Sequence, residues 1–171
     1  MIYIVSGFMR TGTKMMMEAL EAGGMDIYLT VNDKCELTID ELRTAMLNPH
    51  VAEGKLYKCL AAGVLRLAAW KYKILYMQRN YHEIKESCDN LFGPGEHICP
   101  EKDYHSLMRY YAGVIDMRKD IQWIGIQYRA VLENPMAVFE LLAKSGWPIN
   151  AEKAAASIDP EKCHHRIEEV A

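Results

Sequence analysis

The stretch that most constrains the fold is the opening MIYIVSGFMRTGTKMMMEALEAGG. A wholly apolar run, Ile2-Tyr3-Ile4-Val5, leads into a loop containing Gly7 and Gly12, and residues 13–22 hold no helix breaker. The pattern reads as buried strand, glycine loop and helix. Glycines let such a loop turn tightly and approach an anion, its N–H groups point inward, and the following helix adds the positive end of its dipole. Phosphate or sulfate is the natural guest.

The spelling of the loop narrows that guest. A nucleoside-triphosphate loop reads G-x-x-x-x-G-K-[ST], with lysine directly after the second glycine and then a hydroxyl for magnesium. In Gly7-Phe8-Met9-Arg10-Thr11-Gly12-Thr13-Lys14 the glycines keep that spacing, but threonine and lysine are exchanged and a basic residue, Arg10, comes two before Gly12. Magnesium and triphosphate are therefore disfavoured. The plain alternative is a strand–turn–helix corner that binds nothing.

At 171 residues the chain is expected to form one domain, 1–171, with a core of its own. Net charge is −3, so no global field recruits polyanions, nucleic acid is not an expected partner, and an anion site must be built locally. The strand begins at Ile2 and runs straight into the glycine loop, which is unlike a secretory leader, and no apolar run reaches membrane-spanning length. A cytoplasmic protein without membrane partners is expected. Five widely spaced cysteines, Cys35, Cys59, Cys88, Cys99 and Cys163, with no C-x-x-C, suit reduced thiols.

Along the chain, residues 25–31 read as a second strand, and Thr38 with Glu41 forms a capping box for a helix to about Asn48. A short strand follows over 55–60, then a helix over 61–70. The run Ile74-Leu75-Tyr76-Met77 has the character of a strand buried on both faces, and Arg79 stands at its carboxyl end. A helix over 81–91 ends at Phe92-Gly93-Pro94-Gly95. Pro100 opens a long helix to about Lys119, with Tyr104, Leu107, Met108, Tyr111, Val114, Ile115 and Arg118 at helical spacing. Residues 121–128 form the last strand, Asn134-Pro135 opens a helix that Gly146-Trp147-Pro148 ends, and the tail carries an alanine-rich helical piece and a charged turn from Asp159-Pro160. Strands alternating with helices predict an α/β fold, a three-layer α/β/α arrangement around a central, mostly parallel sheet, with ligands at the carboxyl ends of the strands.

Three stretches together resemble the sulfotransferases that use 3′-phosphoadenosine 5′-phosphosulfate (PAPS). Arg10-Thr11-Gly12-Thr13 is similar to that family's basic-[ST]-G-T loop. Arg79 and Ser87, a strand-end arginine and a serine eight residues on in the next helix, match its 3′-phosphate pair. Tyr128, Asn134-Pro135 and Gly146-Trp147-Pro148 resemble its last strand, following loop and helix, and Ile158-Asp159-Pro160 with Arg166 is similar to the tail of many bacterial members. The resemblance implies a P-loop-like nucleotide-binding fold. It implies that Arg10, Thr11, Gly12, Thr13 and Lys14 hold the 5′-phosphosulfate, that Arg79 and Ser87 hold the 3′-phosphate, and that Tyr128 lies near the adenine. Lys58 falls where many members carry a strand-end lysine on the sulfate-bridging oxygen, so Arg10, Lys14 and Lys58 are the catalytic candidates. The co-substrate would be PAPS with no metal, and the acceptor a hydroxyl or amine of a small molecule or carbohydrate; self-association is left open.

The departures are specific. Leu60 stands where small-molecule members carry a histidine base, and the glycine-lysine-glycine stretch near the end of those members is absent. Asp33, Glu36, His82 and His105 are the nearest alternatives for proton transfer, each otherwise a solvated side chain. Cys163-His164-His165 has adjacent rather than spaced ligands and does not suit a metal. Met15-Met16-Met17 reads as core filler. Two further readings stand beside the sulfotransferase: a P-loop kinase of a small metabolite, and a nucleotide-binding protein of the same fold without catalysis.

Overall fold

The computed structural model describes residues 1–28, 49–95 and 98–160. The Thr38–Glu41 capping box, Asp33, Glu36, Cys35, residues 29–31 of the second strand and the tail from residue 161 lie outside the described residues.

Among the described residues four strands form an all-parallel sheet: β1 (Ile2–Gly7), β2 (Leu56–Leu60), β3 (Tyr72–Gln78) and β4 (Ile121–Gln127), in the order β2-β1-β3-β4. The helices are α1 (Thr13–Ala22), α2 (Tyr81–Phe92), α3 (Glu101–Met117), α4 (Tyr128–Glu133), α5 (Pro135–Lys144) and α6 (Ala151–Ala156), with short helical turns at Pro49–Ala52 and Ala61–Val64. The α/β class expected from the alternating pattern is the one observed. Parallel strands need both faces covered, and alternate residues supply the two cores. On one face Val5, Leu75 and Met77 pack with Met16 and Leu20 of α1, Phe139 and Leu142 of α5 and Ala154 of α6. On the other, Ile4, Tyr57, Ile74 and Tyr76 pack with Tyr111 and Ile115 of α3 and with Val64. Each such aliphatic side chain, removed from water, stabilises by about 1.5–3 kcal/mol.

The order places β2 on one side of β1 and β3 on the other. The connection direction therefore reverses between β1 and β3, and the carboxyl ends of the strands at such a point are where open parallel sheets place their ligands. Gly7 pairs with Met77 there, so the glycine loop and Arg79 leave the sheet side by side.

Several boundaries differ from the sequence reading. β1 continues through Ser6 to Gly7 because both flanking strands supply register partners to that point. Within the described part of 25–31 there is one parallel bridge, Ile27 with Leu56. The helix expected over 61–70 stops at Val64, and Arg118 donates to the carbonyls of Leu67 (2.7 Å) and Ala68 (2.9 Å), satisfying backbone that a longer helix would have paired internally. Tyr128 is not the end of a strand but the first residue of α4. Its register explains this: Gln127 opposite Gln78 is the last β3–β4 pair, and beyond it the chain satisfies its backbone by turning helical. The long helix starts at Glu101 with Pro100 as its N-cap, and α5 starts as read, with the Asn134 side chain accepting from the Ala137 N–H. Among the described residues no helix is long and apolar enough to cross a membrane.

Candidate anion site at the carboxyl ends of β1 and β3

The loop after β1 is held by its own side chains. Thr11 is fully buried and its hydroxyl donates to the Phe8 carbonyl at 2.7 Å, closing the turn. Gly12 has φ +89°, which favours glycine, and a Cβ there would meet Tyr128 Cδ2 at 2.4 Å. Arg10 also adopts a left-handed backbone, φ +63°, without being glycine. From Gly12 the chain enters α1, with the Met16 N–H bonded to the Gly12 carbonyl at 3.1 Å. The N–H groups of the first turn have no intrahelical acceptor, as at every helix start.

Around this loop three elements deliver a cluster of guanidinium groups. Arg10 Nε donates to Ser87 Oγ of α2 at 2.8 Å. Arg79, leaving β3, donates from Nη1 to the Arg10 carbonyl at 3.0 Å and from Nε to Glu83 Oε2 at 2.9 Å, and its guanidinium carbon lies 4.2 Å from the centroid of the Tyr128 ring. Arg129, in the first turn of α4, donates from Nε to the other Glu83 oxygen at 2.9 Å. Glu83 is buried with its side chain 3% exposed, so one carboxylate is taken out of water between two arginines. Such a carboxylate is tolerated only because both oxygens are bonded to charge. Cys88 reports the local field: burial pushes its thiol up, while Arg10 and Arg79 pull it down by a smaller amount.

The structure thus gathers Arg10, Thr11, Gly12, Arg79, Ser87 and Tyr128 at one place, and buries Thr13 at the start of α1. Lys14 is separate. Its side chain is 72% exposed and lies 3.7 Å from Glu18 along the outer face of α1. Lys58 is buried in β2, level with Val5 and two residues short of the strand's end at Leu60. His82 and His105 both stand on the surface near Glu101, at 3.8 Å and 3.6 Å from the same carboxylate oxygen. Met16 and Met17 are core, as read. Cys59, Cys88 and Cys99 are free thiols. Among the described residues no three His, Cys, Asp or Glu side chains gather in a way that could hold a metal ion.

Sequence reasoning missed Glu83 and Arg129. The signal for Glu83 was present: it lies four residues after Arg79, one helical turn into the element that Arg79 introduces. For Arg129 the signal was only its place just after the carboxyl end of β4.

No family model matches the chain, and no curated protein matches it. Among solved structures, one similar chain is described as a sugar kinase from Janibacter sp. HTCC2649, in an unliganded crystal structure. It is 14% identical, with 92% of this chain and 97% of that chain covered and a TM-score of 0.46.

Proposed function

We propose that the chain is a PAPS-dependent sulfotransferase, which moves a sulfuryl group from PAPS to a hydroxyl or amine of a small-molecule or carbohydrate acceptor. The observation that supports this best is the joining of the two sequence motifs: the Arg10–Thr13 loop and the Arg79/Ser87 pair, far apart in sequence, are bonded to each other at the switch point of the sheet. In this reading the loop and the start of α1 hold the 5′-phosphosulfate, the arginine cluster with Ser87 holds the 3′-phosphate, and Tyr128 borders the adenine. The S–O bond to the bridging phosphate oxygen breaks as the acceptor oxygen or nitrogen bonds to sulfur. The products are the sulfated acceptor, 3′-phosphoadenosine 5′-phosphate and a proton. Such transfer rests mainly on positioning and on charge stabilisation at the transferred group, which guanidinium and ammonium groups supply. Lys58 is a candidate for that charge, and Lys14 would have to leave Glu18 and turn toward the loop to contribute. No residue is assigned as base, and no metal is required.

The test is calorimetric titration with 3′-phosphoadenosine 5′-phosphate, with ATP and magnesium, and with 5′-AMP, for wild type and Arg79→Ala. Micromolar binding of the 3′-phosphorylated nucleotide, weakened at least about tenfold in the variant, supports the reading. Preferential binding of ATP with magnesium replaces it with a small-metabolite kinase. Binding without transfer to any acceptor replaces it with a non-catalytic nucleotide-binding protein.

A further inference from the structure

Helix α3 docks through Tyr111 and Ile115, which pack against the sheet, and through Tyr104, which packs against Phe8 and Tyr81. Roughly a third of a turn away, Asp103, Ser106, Tyr110, Gly113 and Met117 recur at alternating spacings of three and four, and all five are exposed. Such spacing makes one continuous stripe, the kind of seam along which two helices pack. Tyr110 is 59% exposed and Met117 76%, the two highest exposures among the large apolar side chains of the described residues. Between them sits Gly113, inside the helix, where glycine is the poorest former after proline. A Cβ there would meet nothing within 4 Å, so no described group of its own chain requires a glycine at that place.

The order of sizes along the stripe points to the partner. Turned about a two-fold axis between Tyr110 and Gly113, the stripe faces itself with each large side chain opposite a small one. Tyr110 then lies over Gly113 of the second copy and Met117 over Ser106, and both contacts repeat by symmetry. The charges agree with that direction. The first turn of α3 carries Glu101 and Asp103, and exposed Lys119 follows its end, so antiparallel packing sets the acidic turn of one copy beside the lysine of the other. Parallel packing would set Tyr110 against Tyr110 and like charge against like.

We infer that the chain forms a two-fold dimer through this face of α3, with the two helices antiparallel and the Tyr110 ring of each copy seated on Gly113 of the other. The seam from Ser106 to Met117 is about 16 Å long, so the interface is small and the dimer weak. The inference stands apart from the nucleotide reading, because the stripe shares no residue with the anion site.

Sedimentation equilibrium on the full chain, from about 1 to about 500 μM, tests it. Wild type should pass from monomer to dimer across that range. Gly113→Ala improves helix propensity but puts a methyl where the Tyr110 ring of the second copy would rest, so it should raise the thermal midpoint at low concentration and weaken the dimer. Tyr110→Glu places a charge in the seam and should raise the dissociation constant at least about tenfold, with unchanged circular dichroism. Asp103→Lys should weaken the dimer, and Asp103→Lys combined with Lys119→Glu should restore it. A protein that stays monomeric throughout the range overturns the inference, and so does a dimer that tolerates both Gly113→Ala and Tyr110→Glu. Failure of the charge reversal to restore association overturns the antiparallel arrangement, and the inference with it. Should Tyr110→Glu not fold, Gly113→Ala decides: a weaker dimer supports the inference and an unchanged one overturns it.

Discussion

Arg10 donates from Nε to the buried hydroxyl of Ser87 at 2.8 Å, across 77 positions of sequence. The contact ties the glycine loop to the second turn of α2, and Arg79 completes the link by bonding the carbonyl of the same Arg10. The resemblance to PAPS-dependent enzymes would give Arg10 and Ser87 to different phosphates of one nucleotide. Here they touch, so the two regions form one electrostatic unit.

Arg10 has a left-handed backbone that costs a non-glycine residue about 1 kcal/mol. Arg10→Ala keeps that cost and loses the bond to Ser87; Arg10→Gly loses the bond but relieves the backbone. Arg10→Gly should therefore be the more stable of the two by about 1 kcal/mol in urea unfolding, while both lose affinity for phosphorylated nucleotides. Equal stability of the two variants would mean that the backbone at Arg10 carries no strain.

Gly12→Ala places a methyl within 2.4 Å of Tyr128 Cδ2 at a backbone angle that alanine avoids. The Tyr128 ring would have to move, and the stack under Arg79 with it. A loss of about 1–3 kcal/mol in thermal or chemical unfolding is expected, with weakened nucleotide binding. A Gly12→Ala protein of wild-type stability would contradict the close packing of ring and loop.

Glu83→Gln leaves Arg79 and Arg129 without the charge between them. Removing one partner of a buried ion pair costs about 3–5 kcal/mol, and the exposure of Arg129 places this case toward the lower end. Denaturant unfolding at neutral pH measures it. A change under about 1 kcal/mol would show that the carboxylate is not what holds the cluster.

Buried acids set the alkaline limit of the fold. Burial pushes the Cys59 thiol up to about 12 and the Tyr104 phenol up to about 12, and it raises Tyr57 and Tyr76 as well. An acid with a raised folded pKa holds its proton more tightly when folded. Its stabilisation is complete below the unfolded value, about 8.5 for cysteine and 10 for tyrosine, and is lost as pH rises toward the folded one. The urea midpoint should therefore hold steady to about pH 8.5 and fall from there to about pH 12. A flat midpoint to pH 11 would be the contrary result.

Much of the architecture was legible because it is local. The Ile2–Val5 run, the two glycines and the unbroken residues 13–22 specify strand, loop and helix by side-chain size and backbone freedom alone. Asn134 before Pro135 marked a helix start that the structure keeps to the residue. Where local signals failed, a distant group had satisfied the backbone instead. The chain after Val64 is apolar enough for a helix, but Arg118 takes the carbonyls of Leu67 and Ala68. Tyr128 reads as the last residue of a strand, but the β3–β4 pairing ends one residue earlier, at Gln78 and Gln127, and Tyr128 opens a helix.

Thus the sequence by itself determined the class of fold, the glycine loop that carries Arg10, and Arg79 at the carboxyl end of its strand with Ser87 in the helix that follows, since each follows from periodicity, glycine and the carboxyl ends of strands. Only the tertiary structure decided the strand order, the bonding of Arg10 to Ser87, and the sharing of Glu83 by Arg79 and Arg129. Charge pairing across 46 positions, as between Glu83 and Arg129, leaves no periodic trace in a single chain. It arises when parallel strands end at the same level and their next residues must find partners out of water.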